Sequence, residues 1–242
     1  MNWLLFFFSS LSVLSFVNNR NTNKPETIQD ISLPAGYERI QLADESFGNF
    51  LRKQTLKQDK TVYLYNGKPK YNQRAQYAVL NMSIGTKDLQ QCADAIMRLR
   101  AEYLKLRNQP ICFSDNAGKK YCWYQYKQRG WQSYLETVFG MCGTLSLEKE
   151  LKAKSWQYLL AGDVLIKGGS PGHAVLVMDV ARHQQTGKLI FLLAQSYMPA
   201  QDIHVLHNFN EKELSPWFRE PSGNIIPTPE WNFYANQLRS WR

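Results

Sequence analysis

The sequence predicts an α+β fold in which a long central helix packs on an antiparallel β-meander. Three observations carry that expectation. Leu89, Cys92, Ala93, Ile96, Leu99, Tyr103 and Leu106 recur at helical spacing and form one apolar stripe. The stretch from Gly162 to Gln195, GDVLIKGGSPGHAVLVMDVARHQQTGKLIFLLAQ, alternates apolar β-forming runs with glycine-rich turns, as consecutive antiparallel strands do. The order of elements is strands, long helix, small helices and a helix-poor sheet, which differs from the regular alternation of a parallel α/β fold.

Taken in order, Leu33–Leu42 alternates aromatic and apolar residues and reads as a short strand. Ser46–Leu56 makes a helical turn or two, with Phe47, Phe50 and Leu51 on one side. TVYLY, residues 61–65, is a strand by β-propensity, and Asn66-Gly67 turns the chain. Gln76–Ile84 is the next strand. Thr86 or Asp88 caps the long helix, which runs to about Arg107. Ile111–Phe113 and Tyr121–Tyr124 form a hairpin about Asn116-Ala117-Gly118, and Trp131–Phe139 is a short amphipathic helix. Thr144 or Ser146 caps another helix, through Leu159. The meander follows, then an aromatic tail containing Trp217, Trp231 and Trp241.

With 242 residues, of which 44% are hydrophobic, the chain has the material for one sizeable core. Residues 1–17, MNWLLFFFSSLSVLSFV, are uncharged and mostly apolar. They are short for a membrane span and read as a secretion signal or anchor over residues 1–18. The polar residues 19–31 read as a linker, and residues 32–242 as a single domain. A formal charge of +9 suits an anionic envelope surface or polymer. No recognition helix, zinc finger or RNA-binding signature accompanies the basic residues, so nucleic acid is not expected as a partner. The N-terminus is the expected point of any membrane association, and the chain is placed in the periplasm or outer envelope.

Four cysteines offer different chemistry. Cys112 and Cys122 are symmetric about Ala117 and face each other in a hairpin, as a disulfide or as two separate buried thiols. Cys92 falls near the start of the long helix, where the positive helix end favours a thiolate; packing on the apolar stripe is the competing role. Cys142, between Gly140 and Gly143, is the alternative nucleophile. His173 opens one long strand and Gln195 closes the next, so an antiparallel pair brings them to one rim. There an imidazole accepts a proton and an amide oxygen holds its tautomer. Gly172, Ser196, Tyr197 and His204 are the candidate substrate-binding residues of the same rim. Asp179 shares the alternating face of His173 but lies about 20 Å along the strand. No metal pattern and no cofactor motif is present.

The segments LQQCADAIMRLRAEYL, GDVLIKGGSPGHAVLVMDV, LLAQSYMPAQDIHVL and LSPWF together resemble domain-of-unknown-function family 4846, envelope-associated proteins found mainly in Bacteroidetes. That resemblance implies export and supplies no activity. The order of residues from Gln90 to Gln195 also resembles papain-like cell-wall amidases and endopeptidases. It implies a papain-like core with Cys92 as nucleophile, Gly162-Asp163 at a strand start, His173 as general base and Gln195 as its orienting residue. The implied reaction is amide hydrolysis through a thioester, with peptidoglycan or a related peptide as substrate. The alternative is a non-catalytic envelope protein that keeps the cleft for binding or as scaffold.

Overall fold

The computed structural model describes residues 24–241, and the signal or anchor expected over residues 1–18 lies outside the described residues. Its elements are, in order, β1 (Tyr37–Arg39), α1 (Phe47–Arg52), β2 (Gln76–Val79), α2 (Cys92–Leu106), β3 (Cys112–Ser114), β4 (Lys120–Cys122), α3 (Trp131–Met141), α4 (Thr144–Glu150), β5 (Lys152–Ala153), β6 (Val164–Lys167), β7 (His173–His183), β8 (Leu189–Gln195), β9 (His204–Leu206), β10 (Trp217–Arg219), β11 (Ile225–Pro227), β12 (Asn232–Tyr234) and β13 (Leu238–Ser240). This is a mixed α+β fold built on an antiparallel sheet. The main sheet has nine strands in the order β2-β9-β8-β7-β6-β13-β5, with β1 added to β7 and β10 to β8. The β3–β4 and β11–β12 pairs stand apart as hairpins.

β7 is the centre of this sheet. Residues 173–181 along it are all buried, because its two faces carry different cores. One face (Ala174, Leu176, Met178) meets α2 through Ala93, Ile96 and Leu99, with α3 and α4 residues beyond. The other (Val175, Val177, Val180) meets Phe218, Ile226, Phe233 and Leu238 from the C-terminal strands. Alternation along a strand thus separates the chain into a helical layer and a C-terminal layer.

The alternation is interrupted once. A bulge between Val177 and Asp179 shifts the register with β8, so Val177 opposes Leu193 but Asp179 opposes Leu192. Leu193 belongs to the C-terminal core and Leu192 to the helical one. Asp179 is therefore turned away from the face it was expected to share with His173. It is fully buried, and its carboxylate accepts from Arg39 Nε at 2.7 Å and from Arg52 Nε. Arg39 comes from β1 and Arg52 from α1, so this one carboxylate ties both N-terminal elements to the central strand. Arg39 also donates to the Ile31 carbonyl at 2.6 Å.

Several sequence expectations change here. The linker expected through residue 31 ends sooner: Ile28 and Ile31 are buried, and Thr27 bridges to Thr55. Residues 61–65 make single bridges, Tyr63 to Pro69 and Leu64 to Gln201, in place of a strand. The helix expected from Thr86 or Asp88 begins at Cys92, because Asp94 caps it by accepting from the Gln91 N–H at 2.9 Å. Asp88 is drawn elsewhere, accepting from Ala200 N at 2.7 Å. The helix expected through Leu159 stops at Glu150, and Lys152–Ala153 pairs with β13.

Removing the Asp179 carboxylate would leave the Arg52 guanidinium buried without its counter-charge. Asp179→Ala is expected to cost about 3–5 kcal/mol, measured by urea unfolding; a loss below about 1 kcal/mol would show that the ion triad does not hold α1 and β1 in place.

Candidate functional site

His173 and Gln195 meet, as the antiparallel pairing of β7 with β8 requires. His173 Nε2 and Gln195 Oε1 are 2.9 Å apart. Both residues are about 1% exposed. The surrounding acceptors fix every proton in this chain of contacts. Gln195 Nε2 lies 2.6 Å from a carboxylate oxygen of Glu230, which only accepts, so the amide nitrogen must face Glu230 and the amide oxygen must face His173. His173 therefore carries its proton on Nε2 and leaves Nδ1 bare. Gln195 Nε2 also faces His204 Nε2 at 3.4 Å, and His204 Nδ1 donates to the Asp202 carbonyl at 2.8 Å. Lys70 closes the chain, with Nζ 2.6 Å from Glu230.

These groups come from distant parts of the sequence. Gln195 and His204 are cross-strand partners of β8 and β9. Lys70 is carried by the loop whose Leu64 N–H bonds Lys68 O and whose Tyr65 N–H bonds Ala200 O. Glu230 sits between β11 and β12. Aromatic rings cover the imidazole: Tyr197 at 4.7 Å, Trp231 at 5.5 Å and Phe233 at 5.8 Å between centroids. Phe233 is buried, whereas Tyr197 and Trp231 are half-buried and reach the surface.

Burial decides the protonation states. It pushes His173 down to about 4, against smaller upward pulls from the Gln195 hydrogen bond and Glu230. Burial, with the nearby Lys70 charge, likewise pushes His204 down to about 4. Lys70 is itself lowered by burial, against the attraction of Glu230. At neutral pH both imidazoles are uncharged.

The cysteine-hydrolase expectation is overturned here. Cys112 and Cys122 are joined in a disulfide across β3 and β4, so neither is a free nucleophile. Cys92 and Cys142 are free but buried. Burial, and then the charge of Asp94, pushes the Cys92 thiol up to about 11, outweighing the backbone N–H groups of Cys92 and Ala93 at the helix start and of Ala174 on β7. Burial, followed by Glu150, pushes Cys142 up to about 12. Cys92 lies close to the start of β7, where its sulfur takes a hydrogen bond from the Ala174 backbone N–H, but that contact does not offset its burial. Among the described residues no cysteine is hydrogen-bonded to a histidine, and no group of three or more His, Cys, Asp or Glu side chains is placed to hold a metal ion. The amidase and peptidase readings fall with the nucleophile.

The expected substrate-binding residues divide. Ser196 is fully buried, its hydroxyl between the carbonyls of Gln90 at 2.9 Å and Gln201 at 2.8 Å. His204 is also fully buried and supports the rim from beneath. Gly172 has no room for a side chain, because a Cβ there would strike the Gly169 and Lys167 carbonyls and the Thr144 hydroxyl. Its smallness serves the turn between β6 and β7 and its contact with α4. Tyr197 alone of the four pairs an accessible ring with the His173 contact. Sequence reasoning missed Lys70, Glu230 and the site role of Trp231. The sequence separation of 160 between Lys70 and Glu230 left no local signal that they meet.

The fold and site define an α+β protein with a polar chain of two uncharged imidazoles, an amide and an ion pair under a partly exposed aromatic rim. The model of a family described as "Domain of unknown function (4846)" matches residues 28–131 and 114–240, and the chain belongs to that family. Neither a curated protein nor a solved structure matches the chain.

Burial of neutral histidines links stability to pH. The unfolded chain takes up these protons near 6.5 and the folded chain near 4, so the unfolded state binds more protons between those values. Stability contributed by neutral burial is complete above about pH 6.5 and is lost as pH falls toward 4, with a slope of up to about 1.4 kcal/mol per pH unit for each histidine. Urea unfolding of wild type and His204→Gln across that range should show a shallower slope in the variant; identical slopes would mean that His204 is not buried as a neutral ring.

Proposed function

We propose that this protein is a non-catalytic binding protein of the cell envelope, and that the rim at the start of β7 holds a glycan or peptide segment of an anionic wall polymer. The observation that carries this reading is the arrangement at His173. A buried polar chain whose members are paired with one another lies directly beneath two half-buried aromatic rings, Tyr197 and Trp231. Such a chain fixes the shape of its surroundings, because each member's position is set by the next. Rings with an apolar body and a polar edge suit contact with sugar faces and peptide groups at a water boundary. Tyr63, Tyr71 and Met198, from the neighbouring loops, are exposed and add apolar surface.

The envelope location is supported by two further features. The Cys112–Cys122 disulfide belongs to an oxidising compartment, and the uncharged apolar residues 1–17 have the character of an export signal. The formal charge of +9 favours an anionic polymer as partner. Within this reading the core is a papain-like scaffold kept without its chemistry: α2 begins at Cys92 and packs on β7, His173 opens β7, and Gln195 ends β8.

The test is titration of the folded protein with a soluble disaccharide-peptide fragment of peptidoglycan, followed by calorimetry and chromatography. Saturable binding is expected, weakened about tenfold by Trp231→Ala or Tyr197→Ala, equivalent to about 1.4 kcal/mol each. Cys92→Ala should bind as wild type does, and the fragment should be recovered intact. Absence of binding at millimolar fragment, or binding indifferent to both rings, would remove this reading.

A further inference from the structure

A second site is built on the far half of α2, away from the rim. An open cavity of about 570 Å³ is lined by α2, the β3–β4 hairpin, α4 and the C-terminal Trp241. That is the size of a small-molecule pocket. Its apolar wall is Leu104, Phe113 and Trp241, and Phe113 and Trp241 touch edge to face at 6.5 Å.

Its polar groups are unequally satisfied. Arg100 lines the cavity and lies over three rings, those of Phe47 at 5.0 Å, Tyr103 at 5.2 Å and Trp241 at 5.0 Å. Among the described residues no carboxylate stands within ion-pair distance of its guanidinium. Cation–π contacts engage the faces of that planar group and leave its in-plane N–H donors for an acceptor. The indole Nε1–H of Trp241 is buried and has no acceptor among the described residues. Two donor-only groups, one of them charged, are therefore in contact at the wall of one cavity. Two further cations belong to the lining, Lys120 at the exposed hairpin edge and Lys149 at the exposed end of α4.

The carboxylates in the lining are already engaged by backbone donors. Asp115 accepts from Ala117 N at 2.9 Å and Lys119 N at 3.0 Å, and also from the Tyr121 hydroxyl. Glu150 accepts from Ser114 N. Those bonds hold the hairpin turn and its contact with α4, so neither carboxylate serves as the counter-charge of Arg100.

We propose that this cavity binds a small amphiphilic carboxylate, its carboxylate held by Arg100 with help from the Trp241 indole N–H, and its apolar body packed against Leu104, Phe113 and Trp241. A planar guanidinium presents a fork that matches a carboxylate. The aromatic and aliphatic wall gives the remainder of the ligand an apolar surface to pack on. The site shares no residue with the rim beside His173, so it stands independently of the envelope-polymer reading.

Octanoate is a suitable probe, with octan-1-ol as its neutral counterpart of equal chain length. Calorimetry on the full chain should show one saturable octanoate site, with octanol at least tenfold weaker. Arg100→Gln should weaken octanoate tenfold or more and leave octanol unchanged. If that variant does not fold, Leu104→Trp, which fills the cavity, should abolish octanoate binding. The wild-type ¹H–¹⁵N spectrum supplies a readout that needs no substitution: the Trp241 indole N–H signal should move on octanoate addition. Lack of saturable octanoate binding, equal affinity for octanol, or an unmoved Trp241 signal would each overturn the proposal.

Discussion

Strand β7 runs through the middle of the sheet with both faces covered, and that burial forces its interior polar side chains to find partners inside the protein. Two such residues matter. Asp179 is satisfied by Arg39 and Arg52, which fastens β1 and α1 across the helical face. His173 is satisfied by Gln195, which continues through Glu230 to Lys70 and fastens the loop near residue 70 to the C-terminal strands. The cost of an unpaired buried group exceeds the net gain of a typical hydrogen bond, so these partners position much of the remaining chain. The bulge at Val177/Asp179 makes both arrangements compatible by sending the two side chains to opposite faces.

The same constraint sets the chemistry of the rim. A site that works by acid–base catalysis needs a group poised near the working pH. Here burial drives the imidazoles down and the thiols up, so each stays in its neutral form. A helix start does favour a thiolate when it is open to solvent or faces a cation. At Cys92 desolvation is the largest influence, and Asp94, recruited to cap the same helix, adds an unfavourable charge. The cap that starts the helix thus works against ionising the thiol it presents.

Much of the fold was legible because it rests on local periodicity. The α2 stripe, the meander and the meeting of His173 with Gln195 all follow from spacings of 3.6 and 2 residues. The facing of Cys112 and Cys122 likewise follows from symmetry about a turn, although only the structure decides that they are bonded. The failures have the opposite character. The one-residue bulge that reversed Asp179 leaves no mark on the apolar pattern of AVLVMDV. The start of α2 was decided by competition between Asp88, drawn to Ala200, and Asp94, which stayed to cap. Lys70 and Glu230 reach the rim through long-range packing, so their adjacency had no local signature.

The central claim is that His173 is a neutral, directionally fixed member of a buried chain. Its ring nitrogens report this directly in a long-range ¹H–¹⁵N correlation spectrum of the folded protein. The structure predicts a protonated Nε2 and a bare Nδ1 at pH 7, a pattern that persists to pH 5. Two protonated nitrogens at pH 7, or a proton on Nδ1 with Nε2 bare, would contradict it.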